Sequence, residues 1–262
     1  MRTDTHRTPT RQNLVIDWGN STLKTGWFDG DTLLETGRYN SPGALRDALS
    51  SRSVGHILVS STSRPADEIR TQLTNLTTSF FVLDSQTLLP IRKVYDTPTT
   101  LGADRMAAAV GAYALFPGRD CLVLDLGTCL TADWLDREAV FQGGLISPGL
   151  QMRFRAMHEQ TARLPLVDAP IEWPALTAKN TQQGLQSGVM HGLLFEMNGI
   201  IERYRREKPE GLVLACGGDM AAFESRLKPP IFAVSELVLI GLNRILRYNV
   251  ENLQANTPDD NA

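Results

Sequence analysis

Apolar and polar residues along this chain predict a strand–turn–strand unit over Leu122–Asp136. Its first half is an apolar run typical of a buried strand, and the turn that follows contains Gly127-Thr128-Cys129. Asp125 precedes this turn, and Thr131 and Asp133 follow it. A carboxylate where a strand ends, followed closely by glycine, suits a metal–phosphate site, because glycine lets backbone N–H groups approach phosphate oxygens. The alternative interpretation is a tight turn with a solvated aspartate.

The same pattern occurs near the start of the chain. L-V-I-D-W-G-N-S begins at Leu14, and L-V-L-D-L-G-T-C begins at Leu122. Asp17 corresponds to Asp125 and Gly19 to Gly127, each pair 108 residues apart. This repeat is much longer than the units of solenoid proteins, so it indicates the duplication of a domain. We expect the two turns to hold a polyphosphate from both sides.

The remaining pattern predicts alternating strands and helices. In the first half it predicts three strands over 13–40, a helix from Pro42 through Leu49, the strand H-I-L-V-S-S, a helix from Pro65 to about Leu76, the strand S-F-F-V-L-D and an apolar helix beginning M-A-A-A-V-G-A. In the second half it predicts a strand around Gly143-Gly144, a helix to about Thr161, a long helix over 181–208, a strand ending at Gly217-Gly218 and a helix from Ser235 to about Asn249. The chain is therefore predicted to be an α/β protein with two domains, 13–118 and 119–250, a disordered extension 1–12 and a flexible tail 251–262.

Composition narrows the class of protein. The 262 residues include 42% hydrophobic and 21% charged residues, which is typical of a soluble globular protein with a sizeable core. The net charge of -3 and the pI near 5.8 give no electrostatic reason to expect nucleic acid or an anionic membrane as a partner. No stretch approaches the roughly 18 apolar residues of a membrane helix, and the polar first twelve residues do not resemble a secretory signal.

The cysteines and histidines show no metal-site spacing. Cys121, Cys129 and Cys216 are odd in number and lack a C-x-x-C pair, which favours a reducing compartment and hence a cytoplasmic location.

Two groups of glycines leave alternatives open. Gly184, Gly188 and Gly192 form a stripe along the long predicted helix, which indicates either close packing within the chain or a subunit contact. Gly217 and Gly218 could let an adenine or ribose lie against the backbone, although a glycine pair at a strand end is often only a turn.

The motifs carry a resemblance to known proteins. Two D-x-G-[NST] loops in duplicated halves resemble the superfamily of acetate and sugar kinases, heat-shock chaperones and actin. The motifs between them resemble type III pantothenate kinases and their relatives, the Bvg accessory factors: D-W-G-N-S-T-L-K, L-G-A-D-R-M-A-A-A-V-G-A, D-L-G-T-C-L-T-A-D, G-G-L-I-S-P-G, T-A-R-L-P, N-T-Q-Q-G-L-Q-S-G and C-G-G-D. They occur from Asp17 to about Gly241 in the order of the family. Ser21, Cys129 and Cys216 differ from its usual residues.

This resemblance implies a fold and an activity. The implied fold is a pair of ribonuclease-H-like domains of the actin-like ATPase kind, each a mixed β-sheet flanked by helices, with ATP in a cleft between them. The implied activity is ATP-dependent phosphorylation of pantothenate to 4'-phosphopantothenate, the first step of coenzyme A biosynthesis, by a homodimer. A kinase for another small hydroxylated substrate and a non-catalytic ATP-binding regulator are the alternatives. Because no G-x-x-x-x-G-K-[ST] motif occurs, the two D-x-G loops must supply the phosphate cradle.

The resemblance also implies the substrate site. Asp104 corresponds to the catalytic base that accepts the hydroxyl proton, although an aspartate at a helix start can simply be an N-cap. Arg105 could bind a carboxylate or phosphate with its planar guanidinium group, the alternative being an ordinary surface arginine. The implied substrate-binding residues are Tyr95, Gly102, Ala103, Asp104, Arg105 and Thr181.

Nucleotide and cation sites follow from the same comparison. The expected ATP-binding residues are Asp17, Gly19, Asn20, Ser21, Thr22 and Lys24 in the first loop, Gly127 and Thr128 in the second, and the pair Gly217 and Gly218. Asp17 is the expected partner of Mg²⁺ or its waters in Mg-ATP. Asp125 corresponds to the ligand of a monovalent cation, K⁺ or NH₄⁺, which would add positive charge near the phosphates.

Overall fold

The computed structural model describes residues 12–19, 22–50, 52–61, 64–73 and 79–255. Its strands are β1 (Gln12–Trp18), β2 (Leu23–Asp29), β3 (Thr32–Tyr39), β4 (Val54–Ser61), β5 (Phe80–Val82), β6 (Arg92–Lys93), β7 (Cys121–Leu126), β8 (Cys129–Leu135), β9 (Val140–Pro148), β10 (Leu212–Cys216) and β11 (Phe232–Ala233). Its α-helices are α1 (Pro42–Leu49), α2 (Ala66–Leu73), α3 (Ala103–Leu115), α4 (Leu150–Glu159), α5 (Thr181–Glu207) and α6 (Leu237–Ala255). Short 3₁₀ turns occur at Pro98–Thr100, Met220–Ala222 and Glu224–Arg226.

The first sheet has the strand order β3-β2-β1-β4-β5. Strands β1, β2 and β3 are antiparallel neighbours, whereas β4 and β5 run parallel to β1. The β2–β3 hairpin turns at Gly30, whose φ of 59° is a conformation that glycine adopts readily. One face of the sheet is apolar: Leu14, Ile16, Ile57 and Val59 join a core cluster that also contains residues of α1 and α2.

The second sheet repeats this arrangement, with the order β11-β10-β7-β8-β9-β6. Strand β7 occupies the position of β1, because β8 and β9 continue from it as an antiparallel meander and β10 and β11 lie parallel on its other side. Its core packs against α4 and α5. Both sheets are mixed and flanked by helices, and their common strand order confirms the predicted fold class and the duplication behind it.

The chain divides into two compact units. The first contains the described residues up to Arg92, Asp96–Leu115 and the described residues from Leu237 onward, and the second contains Lys93–Tyr95 and Phe116–Glu236. Helix α6 therefore packs in the first unit, whereas the contiguous boundaries expected from the sequence assign it to the second.

Two glycines explain this placement of α6. A Cβ atom at Gly241 of α6 would overlap the carbonyl of Ala107 in α3, and one at Gly111 of α3 would overlap the carbonyl of Leu237. The two helices therefore cross with their backbones in contact, a distance that only glycine permits. In addition, Asn243 Nδ2 donates a 2.9 Å hydrogen bond to the carbonyl of Gly30 in the β2–β3 turn.

The chain ends fall mostly outside the described residues. Residues 1–11 and 256–262, which contain most of the expected extension and tail, are not among them. The part of the tail that is described, 251–255, forms the last turn of α6. Among the described helices, none has the length and apolar character needed to span a membrane.

Candidate functional site

The first unit places Asp17 at the end of its central strand. Asp17 of β1 lies opposite Lys24 of β2 and opposite Ser60 of β4 in the strand register. After the strand, the Gly19 N–H donates to the Thr22 carbonyl at 3.0 Å and closes the turn that begins β2. Asn20 and Ser21, the other two expected nucleotide-binding residues of this turn, lie outside the described residues.

Charge at Asp17 is strongly influenced by its surroundings. Burial raises the pKa of its carboxyl group from 3.8 to about 6; the positive charge of Lys24 lowers the pKa, and the negative charge of Asp104 raises it further. The side chain of Lys24 is therefore close enough to Asp17 to act on its charge, which supports the interpretation that Lys24 faces the site. Asp17 and Asp104, expected from separate motifs, form an interacting carboxylate pair.

Asp104 lies in the first turn of α3 and does not occupy the N-cap position. The helix begins at Ala103, and the Gly102 carbonyl accepts the first helical hydrogen bond, from the Met106 N–H at 3.2 Å. The Oδ1 atom of Asp104 accepts a bond from the Arg105 N–H at 2.8 Å. A Cβ atom at Gly102 would lie only 2.6 Å from the same Oδ1, so glycine leaves the space that this carboxylate occupies.

Arg105 is not the surface residue that a first-turn arginine usually is. It is only 5% exposed. A guanidinium group is rarely buried unless it is paired, and Arg105 does interact with other groups of the chain. Arg105 is therefore a buried residue that follows Asp104 directly in the first turn of α3.

The second unit repeats the strand-end carboxylate. Asp125 is the second-last residue of β7 and lies between Thr131 of β8 and Cys216 of β10. The turn that follows is closed by a bond from the Gly127 N–H to the Cys129 carbonyl at 2.9 Å. Thr128, at its tip, is exposed and available to a ligand.

Gly217 makes close contact with this turn. It follows β10 with a φ of 99°, and a Cβ atom at this position would lie 2.5 Å from the Asp125 Oδ1 and overlap the Leu126 carbonyl. The next residue, Gly218, is exposed and has no described atom within 4 Å of its Cβ position. Gly217 thus has a packing role that requires glycine, whereas Gly218 offers an open backbone surface of the kind a nucleoside could contact.

Two residues of this site were not expected from the sequence. Gly149, the residue before α4, donates its N–H to the Thr128 carbonyl at 3.2 Å, and its Cβ position lies 2.5 Å from the same oxygen. The Asp219 N–H donates to the Leu126 carbonyl at 3.0 Å, and burial raises the pKa of the Asp219 carboxyl group. Gly149 follows a proline and Asp219 follows a glycine pair, and the local pattern at both positions predicts only a turn. Only their occurrence in the motifs G-G-L-I-S-P-G and C-G-G-D could have identified them.

The expected substrate residues Tyr95 and Thr181 both belong to the second unit. The Tyr95 ring is half-buried and lies against Phe141, with 6.2 Å between ring centroids. Thr181 is the exposed first residue of α5, directly after the N-cap Asn180, whose Oδ1 accepts the Gln183 N–H at 2.9 Å. Thr181 is thus held at a fixed helix start with its side chain accessible.

The described residues fit a nucleotide with its metal better than an isolated metal ion. Among them, no group of three or more histidine, cysteine, aspartate or glutamate side chains could hold a metal. Mg²⁺ bound with a nucleotide requires fewer protein ligands, because it is usually held by one or two carboxylates together with phosphates and water. The carboxylate pair of the first unit suits that requirement, and in the second unit the exposed Thr128 at the tip of its turn is accessible to a phosphate.

The two mixed sheets, each flanked by helices, have the duplicated ribonuclease-H-like fold of the actin-like ATPase kind. One similar solved structure is the activator of 2-hydroxyisocaproyl-CoA dehydratase from Clostridium difficile with bound ADPNP, at a TM-score of 0.55 and 11% identity over 96% of this chain and 100% of that chain. Another, described as a Baf family transcriptional activator from Campylobacter jejuni, has a TM-score of 0.61 and 20% identity over 91% of this chain and 99% of that chain. At these identities the similarity shows the fold alone.

Sequence comparison identifies the family. A protein-family model described as type III pantothenate kinase matches residues 13–203. A type III pantothenate kinase of Cytophaga hutchinsonii is 47% identical over 238 residues, which are 91% of this chain and 100% of the relative. One of Phocaeicola vulgatus is 42% identical over 239 residues, 90% of this chain and 98% of the relative. The chain belongs to the type III pantothenate kinase family and is a kinase that uses ATP with a divalent metal.

The raised pKa of Asp17 predicts a pH-dependent stability. Between pH 3.8 and about 6 the folded protein binds more protons at this carboxyl group than the unfolded chain does, so this group makes the fold less stable as pH rises through that range. Asp17→Asn removes the cost of the buried charge. Without metal or nucleotide, the free energy of unfolding should rise by about 3 kcal/mol near pH 7.5 and change little near pH 4.

Urea unfolding in EDTA at the two pH values measures this difference. Asp47→Asn, on the exposed surface of α1, is the matched control and should have no effect at either pH. An equal effect of Asp17→Asn at both pH values would contradict the assignment.

Proposed function

We propose that this protein transfers the γ-phosphate of ATP to the primary hydroxyl of pantothenate and so forms 4'-phosphopantothenate, the first intermediate of coenzyme A biosynthesis. The observation that carries the proposal is the carboxylate pair of Asp17 and Asp104, which the family match over residues 13–203 encloses. Phosphoryl transfer depends mainly on positioning and on electrostatic stabilisation, and this pair supplies one group for each task.

Asp104 is the proposed base for the substrate hydroxyl. Its Oδ1 accepts the Arg105 N–H, so the carboxylate has a fixed orientation at the start of a buried helix. A fixed carboxylate can accept the proton as the hydroxyl oxygen forms its bond to phosphorus. Arg105, the next residue, is buried and is the proposed source of positive charge for an anionic substrate. Gly102 and Ala103 bring the backbone close to the same position, and Tyr95 and Thr181 are the proposed contacts with pantothenate.

The turn after each central strand is the proposed phosphate cradle. In the first unit this role falls to Gly19, Thr22 and Lys24, and in the second to Gly127 and Thr128, with Gly217 and Gly218 on the nucleoside. A Mg²⁺ ion, when bound, would neutralise phosphate charge, and Asp17 is its proposed carboxylate partner. The pKa of Asp17 is higher than that of an exposed aspartate, so its ionised form is less stable in the free protein. This is consistent with a site that gains a cation together with its nucleotide.

Asp125 is the proposed ligand of a monovalent cation, K⁺ or NH₄⁺. Its carboxylate lies beside the backbone of Gly217 and near the carbonyl of Leu126. Carboxylate and carbonyl oxygens are suitable ligands for a large monovalent ion, which does not require octahedral geometry.

A homodimer is proposed from the family, with α5 as the contact. Cβ atoms at Gly184, Gly188 and Gly192 would meet no described atom within 4 Å, so the glycine stripe does not pack on another described part of the chain. On the same helix, Phe195 is 59% exposed. An open glycine stripe beside an exposed aromatic ring suits close contact with a second helix.

Replacing the proposed base should abolish turnover and spare nucleotide binding. Asp104→Asn keeps the size of the side chain and removes the proton acceptor, so kcat for pantothenate should fall by roughly 10² to 10⁴-fold. The Kd of Mg-ATP, measured by calorimetry, should stay within about twofold. Asp96→Asn, at an exposed position of the preceding connector, is the control. Near-normal kcat would leave Asp104 with a structural role only.

The same assay with a panel of hydroxylated acids and sugars tests the substrate. A folded protein that binds ATP and phosphorylates none of them would favour a regulator over a kinase.

The cation site predicts a change in the response to potassium. Wild-type activity should increase when K⁺ replaces Na⁺, and Asp125→Ala should remove that increase. Asp125→Asn retains an oxygen ligand without the charge and should show an intermediate response. Initial rates across a K⁺ titration measure the effect. A full K⁺ response in Asp125→Ala would place the cation elsewhere.

The dimer contact predicts a selective effect on assembly. Gly188→Arg puts a long charged side chain in the open stripe of α5 and should convert a dimer to a monomer without loss of secondary structure. Light scattering and circular dichroism measure the two properties. Asp47→Arg on the exposed surface of α1 is the control. A Gly188→Arg variant with the mass of the wild-type protein would exclude this contact.

A further inference from the structure

Ser60 in β4 presents an unexplained buried polar group. The residue is 0% exposed, and its hydroxyl has no hydrogen-bond partner among the residues that the structure describes. A buried hydroxyl without a partner costs about 1–3 kcal/mol, and native proteins rarely tolerate one without reason. Ser60 therefore calls for an explanation that the structure of the sheet alone does not provide.

The strand register shows which groups Ser60 faces. It lies opposite Asp17 in the parallel β1–β4 pair, so the two side chains extend from the same face of the sheet. Their neighbours Ile16 and Val59 point the other way, into the core cluster with α1 and α2. Ser60 and Asp17 consequently share the opposite face.

That opposite face is the one covered by α3 and α6. Helix α3 packs against β4, and α6 packs against both β1 and β4. Asp104 lies in the first turn of α3 and interacts with Asp17 through charge. Ser60 is thus a buried hydroxyl beside the carboxylate pair to which the proposed phosphoryl transfer is assigned.

We propose that Ser60 is a positioning residue that donates a hydrogen bond to the Asp17 carboxylate when Mg-ATP is bound. This inference rests on the proposed function, because it assigns Asp17 to the metal-bound nucleotide. Adjacent strands lie about 4.8 Å apart, a distance across which rotation of the serine side chain between its staggered positions brings the hydroxyl within reach of a facing carboxylate.

The proposed hydrogen bond would stabilise the ionised form of Asp17. An ionised carboxylate that accepts a hydroxyl hydrogen bond is stabilised more than a neutral acceptor, and the bond fixes which oxygen remains for the metal or its water. Supporting groups of this kind commonly tune metal ligands in proteins. The cost of the unpartnered hydroxyl in the free protein would then be recovered when the site is loaded.

A second buried hydroxyl provides a matched control. Thr25 in β2 is 1% exposed, and its hydroxyl also lacks a partner among the described residues. Thr25 lies opposite Ile16, so it faces the α1–α2 side of the same sheet, away from Asp17. Burial and lack of a partner are the same at both positions, and only Ser60 shares a face with the carboxylate pair.

Ser60→Ala tests the proposal because a structural role and a positioning role predict opposite outcomes. Removal of an unpartnered hydroxyl should leave the thermal midpoint of the nucleotide-free protein unchanged or raise it. If Ser60 positions Asp17, the Kd of Mg-ATP from calorimetry should still increase about tenfold, with kcat reduced and the KM for pantothenate unchanged. Thr25→Val should likewise leave the thermal midpoint unchanged or raise it, and it should leave the Kd, kcat and KM unchanged. Ser60→Cys, with a weaker donor, should be intermediate.

A double-mutant cycle with Asp17→Asn identifies the partner. In the Asp17→Asn background, Ser60→Ala should weaken Mg-ATP binding by less than twofold, because the carboxylate on which it acts is absent. Wild-type affinity and turnover in Ser60→Ala would overturn the proposal, and so would equal effects of Ser60→Ala in both backgrounds. If the wild-type protein binds Mg-ATP and does not phosphorylate pantothenate, the binding measurements still decide the role of Ser60, and only the substrate assignment fails.

Discussion

The desolvation of a carboxylate at the end of a central strand is the interaction on which the candidate site depends. Asp17 lies near the end of the middle strand of a five-stranded sheet, with a strand on each side, and is partly buried. Burial raises its pKa to about 6. A carboxylate in this position is costly in the free protein and becomes favourable when positive charge arrives with a ligand. The surrounding groups, Lys24, Asp104 and Ser60, are best understood through their effect on that charge.

Glycine is the second requirement, because within each unit a loop residue lies very close to an oxygen atom of the candidate site. Gly102 leaves room for the Asp104 carboxylate, Gly217 for that of Asp125, and Gly149 for the carbonyl of Thr128. In each case a methyl group would overlap an oxygen atom that belongs to the site. These three glycines are therefore explained by space for oxygen atoms, and only Gly217 among them also needs a left-handed backbone conformation.

The local sequence pattern predicted the helices and most of the strands, but it did not predict which of the two units α6 belongs to. Helix α1 was predicted with the observed bounds, since Ser41 caps it, Pro42 begins it and its apolar residues recur with the helical period. The two-residue strands β6 and β11 were not predicted, because so short a segment has no period of its own. The placement of α6 in the first unit was missed for a related reason: the backbone contact of Gly241 with Ala107 joins residues far apart in the chain.

The sequence by itself determined the two strand–turn–strand copies, the carboxylate that ends each central strand and the family motifs, because these depend on local order and on the chemistry of single residues. Only the tertiary structure decided that Asp104 and Lys24 act on Asp17, that Arg105 is buried and that Ser60 shares the face of the carboxylate pair. Those properties depend on which strands are neighbours and on how much water is excluded, and neither quantity is encoded in any one stretch of the chain. Partial exclusion of water from the Asp17 carboxyl group is the first cause of its raised pKa, and the charges of Lys24 and Asp104 modify it.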